Sequence, residues 1–217
     1  MLILNLPSIQ VEELEGKRYY VFEDGSRLPS ITTVLSYFKG KELEQWRKNI
    51  GEDKANAITL KATTTGTKLH KIIEHYLLND KKIVEPQDFM IQTRFNTMKS
   101  AINKITDILC IEQTLYSFLL GVAGTADCIA NYDGVTSIID FKTSRNIKDE
   151  EKITNYFEQA SGYSHMFNEL TGIEINQIVI IMSIENVSVP KVFIKDARYY
   201  IDGLKDKIRR FNGDANK

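Results

Sequence analysis

The chain has no apolar run long enough to cross a membrane as a helix. Its longest, such as Ile178 to Met182, fall far short of the roughly 20 residues a span requires. The opening MLILNLPS lacks the charged region and long apolar stretch of a secretory signal. A soluble protein of the cytoplasm, with no membrane partner, is the expectation. Cysteine is scarce as well: Cys110 and Cys128 are too few for a disulfide framework or for the four thiolates of a structural zinc or iron–sulfur site. That fits a reducing compartment, with Cys128 read as a small buried filler. The four prolines are scattered, and no repeat, low-complexity tract or shift in composition divides the chain, so 1–217 reads as one domain. Excess charge is also missing. With 28 basic against 29 acidic residues and a net charge of −1, the chain does not coat nucleic acid by bulk electrostatics, and any such contact must be local.

What is present is core material, 42% hydrophobic over 217 residues. Residues 1–28 read as short strands and a hairpin, with Arg18 to Phe22 followed by the turn residues Glu23 to Ser26. Residues 29–110 read as helical. Ser30 is a candidate N-cap for a helix to Phe38, and residues 41–79 suit two helices broken near Gly51. Leu69, Ile72, Ile73, Tyr76 and Leu77 form a stripe with helical spacing that packs inward. A linker near 79–86 precedes an amphipathic helix predicted over 87–109. From Ile111 the period changes to that of strands: 111–120, 121–131 and, after a two-residue turn at Asp133-Gly134, 135–142. A helix over 149–171 stopped by Gly172, strands over 174–184 and 188–195, and a last helix over 196–211 complete an α/β sandwich around a mixed sheet.

The sharpest feature is Gly124-Thr125-Ala126-Asp127, a hairpin, then Asp140-Phe141-Lys142-Thr143. Alternation puts Asp140 and Lys142 on one face of a strand, with Ile139 and Phe141 on the other. If the turn residues at Asp133-Gly134 pair symmetrically, Asp127 lies across from the neighbourhood of Asp140. Two carboxylates so placed suit a hard divalent cation such as Mg²⁺ or Mn²⁺, which can polarise a phosphate and activate water, and a lysine beside them supplies a point positive charge. A cross-strand salt bridge on a solvated face is the plain alternative.

The whole pattern resembles the PD-(D/E)XK nuclease superfamily and its RecB-like exonuclease branch. Gly66-Thr67-x-x-His70-x-x-x-Glu74 looks like the helical motif of that branch, in which the histidine is a metal ligand; an isolated helical histidine is otherwise a core or surface residue. Tyr156-x-x-Gln159-x-x-x-Tyr163 places three side chains on one helix face and resembles the motif after the catalytic lysine, although such a stripe also suits core packing. Glu112 stands where family members carry a further acidic residue near a second metal, or is an exposed strand-end charge. Leu28-Pro29-Ser30-Ile31-Thr32 is similar to the opening of the mitochondrial genome maintenance exonuclease family and its phage and bacterial relatives.

The resemblance implies a restriction-endonuclease-like core at 111–196 with helical decoration before it and a C-terminal helix at 197–217. It implies His70, Asp127, Asp140 and the Phe141 backbone carbonyl, with Glu112, as ligands of one or two Mg²⁺ or Mn²⁺ ions. Lys142 would position and activate water, assisted by Gln159 and Tyr163, and Thr67, Lys68, Thr143, Ser144 and Tyr156 would touch substrate. The expected activity is a metal-dependent exonuclease on single-stranded DNA ends, in replication, repair or recombination. Lys39, Lys41, Arg47, Lys48, Lys54, Lys61, Lys68 and Lys71 enrich the helices before the core in charge that could follow a phosphate backbone, or are ordinary solvated faces. A flap or structure-specific endonuclease and a silent DNA-binding module are the rivals. An unrelated sugar- or nucleotide-binding protein is disfavoured, since no glycine-rich phosphate loop is present. The four-cysteine iron–sulfur branch is excluded. The lysine-, isoleucine- and asparagine-rich composition matches an AT-rich genome such as that of a phage or its bacterial host.

Overall fold

A computed structural model describes residues 9–80 and 88–215. The chain opening at 1–8 and most of the expected linker at 79–86 lie outside the described residues. Strands β1 (Ile9–Leu14), β2 (Lys17–Phe22) and β3 (Arg27–Pro29) form a small antiparallel sheet. Helix α1 (Ile31–Tyr37) starts where expected: the Ser30 side chain accepts the Thr33 N–H and satisfies one of the orphan donors of the first turn. Helices α2 (Gly40–Ile50) and α3 (Glu52–Leu77) are separated at Gly51, whose φ of 87° is open to glycine at little strain.

The next helix, α4 (Phe89–Ile102), ends seven residues before the predicted Leu109, and strand β4 (Ile105–Ser117) begins there instead. Ile105, Ile108 and Leu109 continue a helical spacing, but the chain turns at Asn103-Lys104 and the sheet takes them. Strands β5 (Val122–Tyr132), β6 (Val135–Ser144), β7 (Gln177–Ile184) and β8 (Lys191–Asp196) follow, in the spatial order β4-β5-β6-β7-β8. The two-residue turn is as predicted, with Asp133 and Gly134 both at positive φ and Tyr132 opposite Val135. Only β6 and β7 are parallel, and helix α5 (Thr154–Thr171) makes the crossover between them, stopped by Gly172 in the left-handed conformation. Helix α6 (Ile201–Ala215) closes the described chain. The result is a five-stranded mixed sheet flanked by helices, consistent with a PD-(D/E)XK-like core. No helix of the described residues is long and apolar enough to cross a membrane.

Each face of the large sheet has its own core. On one side α1, α5 and α6 cover Leu115, Ala126, Ile129, Ile138, Ile180 and Phe193. On the other, α3 and α4 bring Leu69, Ile73, Phe95 and Met98 against Cys128, Tyr132, Ile139, Phe141 and Val179. The inward stripe of α3 is the one the helical spacing indicated, and Cys128 is fully buried.

Candidate active site

The site forms where strand alternation fails. On β5, Cys128 and Tyr132 face the α3–α4 core, yet Val122 and Ala126, at positions of the same parity, face the α1–α5–α6 core. On β4, Ile111 and Leu115 are split in the same way. Both strands change phase on one rung: Ile111 pairs with Cys128 and Gln113 with Ala126, leaving Glu112 and Asp127 between them. Glu112 takes the turn with a φ of 46°, in a region that non-glycine residues seldom occupy inside a strand and that recurs at functional sites. An earlier irregularity, between Thr106 and Cys110, sets the register that brings these two carboxylates together.

His70 reaches this rung from α3. Its Nε2 lies 2.8 Å from the Phe141 carbonyl oxygen, and Nδ1 lies 3.5 Å from an Asp127 oxygen and 3.9 Å from a Glu112 oxygen. With Nε2–H donating to the carbonyl, Nδ1 presents a lone pair to two carboxylates, a set that a cation placed among them would satisfy. One ligand atom from each of His70, Glu112 and Asp127 falls within 4.8 Å of the others. Burial pushes the Glu112 carboxyl up to about 7, the Asp127 charge pushing the same way and His70 opposing. Asp127 is fixed on its other side, where Oδ2 accepts the Phe141 N–H at 2.8 Å.

Asp140 sits one strand further in. It is 1% exposed and paired with Lys142 at 2.5 Å, on the same strand face as alternation required. Its Oδ1 accepts from the Lys142 ammonium, which lies 2.5 Å from Oδ2 as well. Burial raises the Asp140 pKa above the ordinary carboxylate value, Asp127 adding and Lys142 opposing. Lys142 moves up as well, because Asp140 and Asp127 outweigh the pull of burial and hold it as a cation. The donor set therefore fits a divalent metal: an imidazole nitrogen and two carboxylate oxygens within 4.8 Å of one another, beside the buried Asp140–Lys142 pair.

An open cleft of about 810 Å³ lies in front of these groups, walled by Gly66 and Thr67 of α3, Thr125 of β5 and Gln159 and Tyr163 of α5, with Lys68, Lys71 and Glu74 also on it. Gln159 Nε2 donates to the Tyr163 hydroxyl at 3.1 Å. Burial holds the Tyr163 pKa well above the usual phenol value, so Tyr163 stays neutral and keeps a proton to donate. Gly124 is explained by that ring: a Cβ there would lie 2.7 Å from Tyr163 Cε1.

The structure thus groups His70, Glu112, Asp127, Asp140, Lys142, Gln159, Tyr163, Thr67 and Lys68. Asp140 stands outside the three-residue cluster, held by Lys142, and the Phe141 carbonyl is taken up by His70. Ser144 and Thr143 are elsewhere: the Ser144 hydroxyl is buried and donates to the Asn146 carbonyl, and Thr143 borders a separate depression beside Lys61 and Arg145. Tyr156 is off the cleft but within 5.3 Å of Lys142, measured to its ring centroid. Two cleft residues were missed in the sequence, Arg18 and Tyr20 of the small sheet; the Tyr20 hydroxyl meets Thr125 Oγ1 at 3.1 Å. Nothing in a strand reading of RYYVF marks which face meets a second sheet. Among the basic residues before the core, Lys48 pairs with Glu44, Arg47 with Glu52, Lys71 with Glu74 and Lys68 with Asp88, which makes these ordinary balanced faces.

The chain is 25% identical over 130 residues to mitochondrial genome maintenance exonuclease 1 of Homo sapiens, and 25% identical over 129 residues to that of Mus musculus. Each match covers 56% of this chain and 38% of the relative, so the chain matches well under half the length of either. No family model matches. Among solved structures, that of SSO0001 aligns over 83% of this chain and 74% of its own with a TM-score of 0.41 at 14% identity, a likeness too slight to argue from. The similarity to the two exonucleases supports a nuclease in general.

Proposed function

We propose that the chain is a divalent-metal-dependent deoxyribonuclease that hydrolyses phosphodiester bonds from single-stranded DNA ends. The observation that carries this reading is the convergence of His70, Glu112 and Asp127 beside the Asp140–Lys142 pair at the floor of one open cleft. His70, Glu112 and Asp127 would hold Mg²⁺ or Mn²⁺, with Asp140 behind them. A bound divalent ion supplies Lewis-acid polarisation of the phosphate and a more acidic water.

The chain's own groups do the rest. Lys142, kept cationic by Asp140 and Asp127, has no lone pair to accept a proton; it steadies negative charge on the phosphate and orients water. Tyr163, oriented by Gln159, donates its hydroxyl hydrogen to an oxygen of the strand. His70, by donating to the Phe141 carbonyl, fixes the strand that carries Lys142 relative to α3.

The test is digestion of end-labelled linear and circular single-stranded DNA with Mg²⁺, Mn²⁺ or chelator. The native chain should degrade the linear form only with metal and spare the circle, and Lys142→Ala should lose about 10²- to 10³-fold in rate, the range for removing one preorganised charge stabiliser. Cutting of the circle would make the chain an endonuclease. If neither DNA is cut with any metal, the assignment fails and a silent binding module takes its place.

A further inference from the structure

Beside the cleft, three ammonium groups surround one aromatic ring. Lys142 Nζ, Lys148 Nζ and Lys39 Nζ lie 5.3, 5.4 and 5.9 Å from the centroid of Tyr156. Lys142 is neutralised by Asp140, but the other two have neutral partners: Lys148 donates to the Tyr156 hydroxyl at 3.2 Å and Lys39 to the Asn155 side-chain oxygen at 2.9 Å. Of the acidic groups just before α5, Glu150 pairs with Lys195 and Asp149 with Lys152, while Glu151 lies in the same turn. Tyr156 and Asn155 stand in the first turn of α5, which itself carries no acidic residue, although the 3-10 turn Glu150–Ile153 that leads into it carries Glu150 and Glu151.

Like charges gathered with so little compensation repel one another, and the tyrosine ring offsets only part of that repulsion. An anion among them would remove it. The geometry points to Lys39, Lys148 and Tyr156 as a second phosphate-binding subsite, which holds the backbone phosphate neighbouring the one at Lys142. This rests on the nuclease reading for its place along the strand, but not for its chemistry. Lys148 is further fixed from behind, since Lys191 Nζ donates to its carbonyl oxygen at 3.1 Å. The subsite reads no base, because ammonium charge recognises phosphate alone.

The test separates binding from cleavage. A fluorescent short oligothymidylate is titrated in chelator, over a range of salt, onto the native chain, the double variant Lys39→Ala/Lys148→Ala, and a control double variant Lys205→Ala/Arg209→Ala on α6, with thermal unfolding confirming that each is folded. The Lys39/Lys148 variant is expected to bind about tenfold more weakly, and its plot of log affinity against log salt to be shallower by about 0.7 for each phosphate no longer held. The control should match the native chain. Equal affinity and slope in all three proteins would overturn the subsite, whether or not the native chain cuts DNA. If the native chain cuts nothing but the slope falls as expected, the subsite stands and the nuclease reading is the one that fails.

Discussion

Asp140 and Glu112 are both carboxylates beside Asp127, and the fold treats them in opposite ways. Asp140 lies in the regular run of β6, 1% exposed, with an ammonium against it. Glu112 lies at the break in β4, its side chain 38% exposed, facing Asp127 and a histidine. The first is a buried charge compensated by an ammonium in direct contact; the second faces the like charge of Asp127, with His70 and Lys71 only partly offsetting it. A buried pair resists the loss of either member, whereas a repelling set is relieved by it. One half of the site is therefore held by the fold, and the other half is built against the fold's own preference, as a cation site is.

Neutralising the two carboxylates in turn should give opposite signs. Asp140→Asn leaves Lys142 largely buried with its main partner gone and should lower stability by about 3 kcal/mol, the low end for a broken buried pair, with loss of cleavage. Glu112→Gln removes repulsion at the break and should raise the melting temperature of the metal-free protein while weakening Mn²⁺ binding by 10-fold or more, of the order seen even for groups behind the ligands. Melting with and without Mn²⁺ reads both. A fall in melting temperature for both variants without metal would erase the distinction between the two halves.

The same contrast explains what could be read in advance. Asp140 and Lys142 were legible because β6 keeps strict alternation, and the Asp133-Gly134 turn fixes register by its own backbone requirements. His70 was legible through motif resemblance, and its reach to the sheet follows from the buried stripe of Leu69, Ile72 and Ile73 beside it. Glu112 could be marked only by position, because its place opposite Asp127 depends on two local breaks in β4 that no composition signals. The early end of α4 was missed for a related reason. Apolar spacing over a few residues serves a helix or a strand equally, and the sheet decided it. Thr143 and Ser144 were carried along by their neighbourhood to Lys142, but past Lys142 the strand leaves the cleft.

Acidity sharpens the comparison at smaller scale. A carboxyl raised from its ordinary 4.5 to about 7, as Glu112 is, favours the fold while protonated. Its contribution is full below 4.5 and is lost as pH climbs through 7. The metal-free protein should thus lose stability as Glu112 ionises, and Mn²⁺, which competes with protons for the same oxygens, should restore it. The rise in melting temperature caused by Mn²⁺ should therefore grow as pH increases through about 7, and Glu112→Gln should flatten that growth. An increment equal on both sides of neutrality would show that the ion binds elsewhere.

The smallest expected effect concerns Gly66, on the α3 wall of the cleft. It sits inside a 26-residue helix, where glycine is less favourable than alanine by about 0.5 to 1 kcal/mol, and a Cβ there would meet nothing within 4 Å. Gly124 is different, since the Tyr163 ring leaves it no room for a side chain. Packing requires the second glycine and not the first. What lies in front of Gly66 is the cleft, so an added methyl group there would project toward whatever the cleft holds. Gly66→Ala should raise stability by about 0.5 to 1 kcal/mol and raise KM for DNA with little change in kcat. An unchanged KM beside the gain in stability would mean that the strand does not approach α3 at this turn, and the substrate path would then have to follow the Tyr20 and Thr125 wall instead.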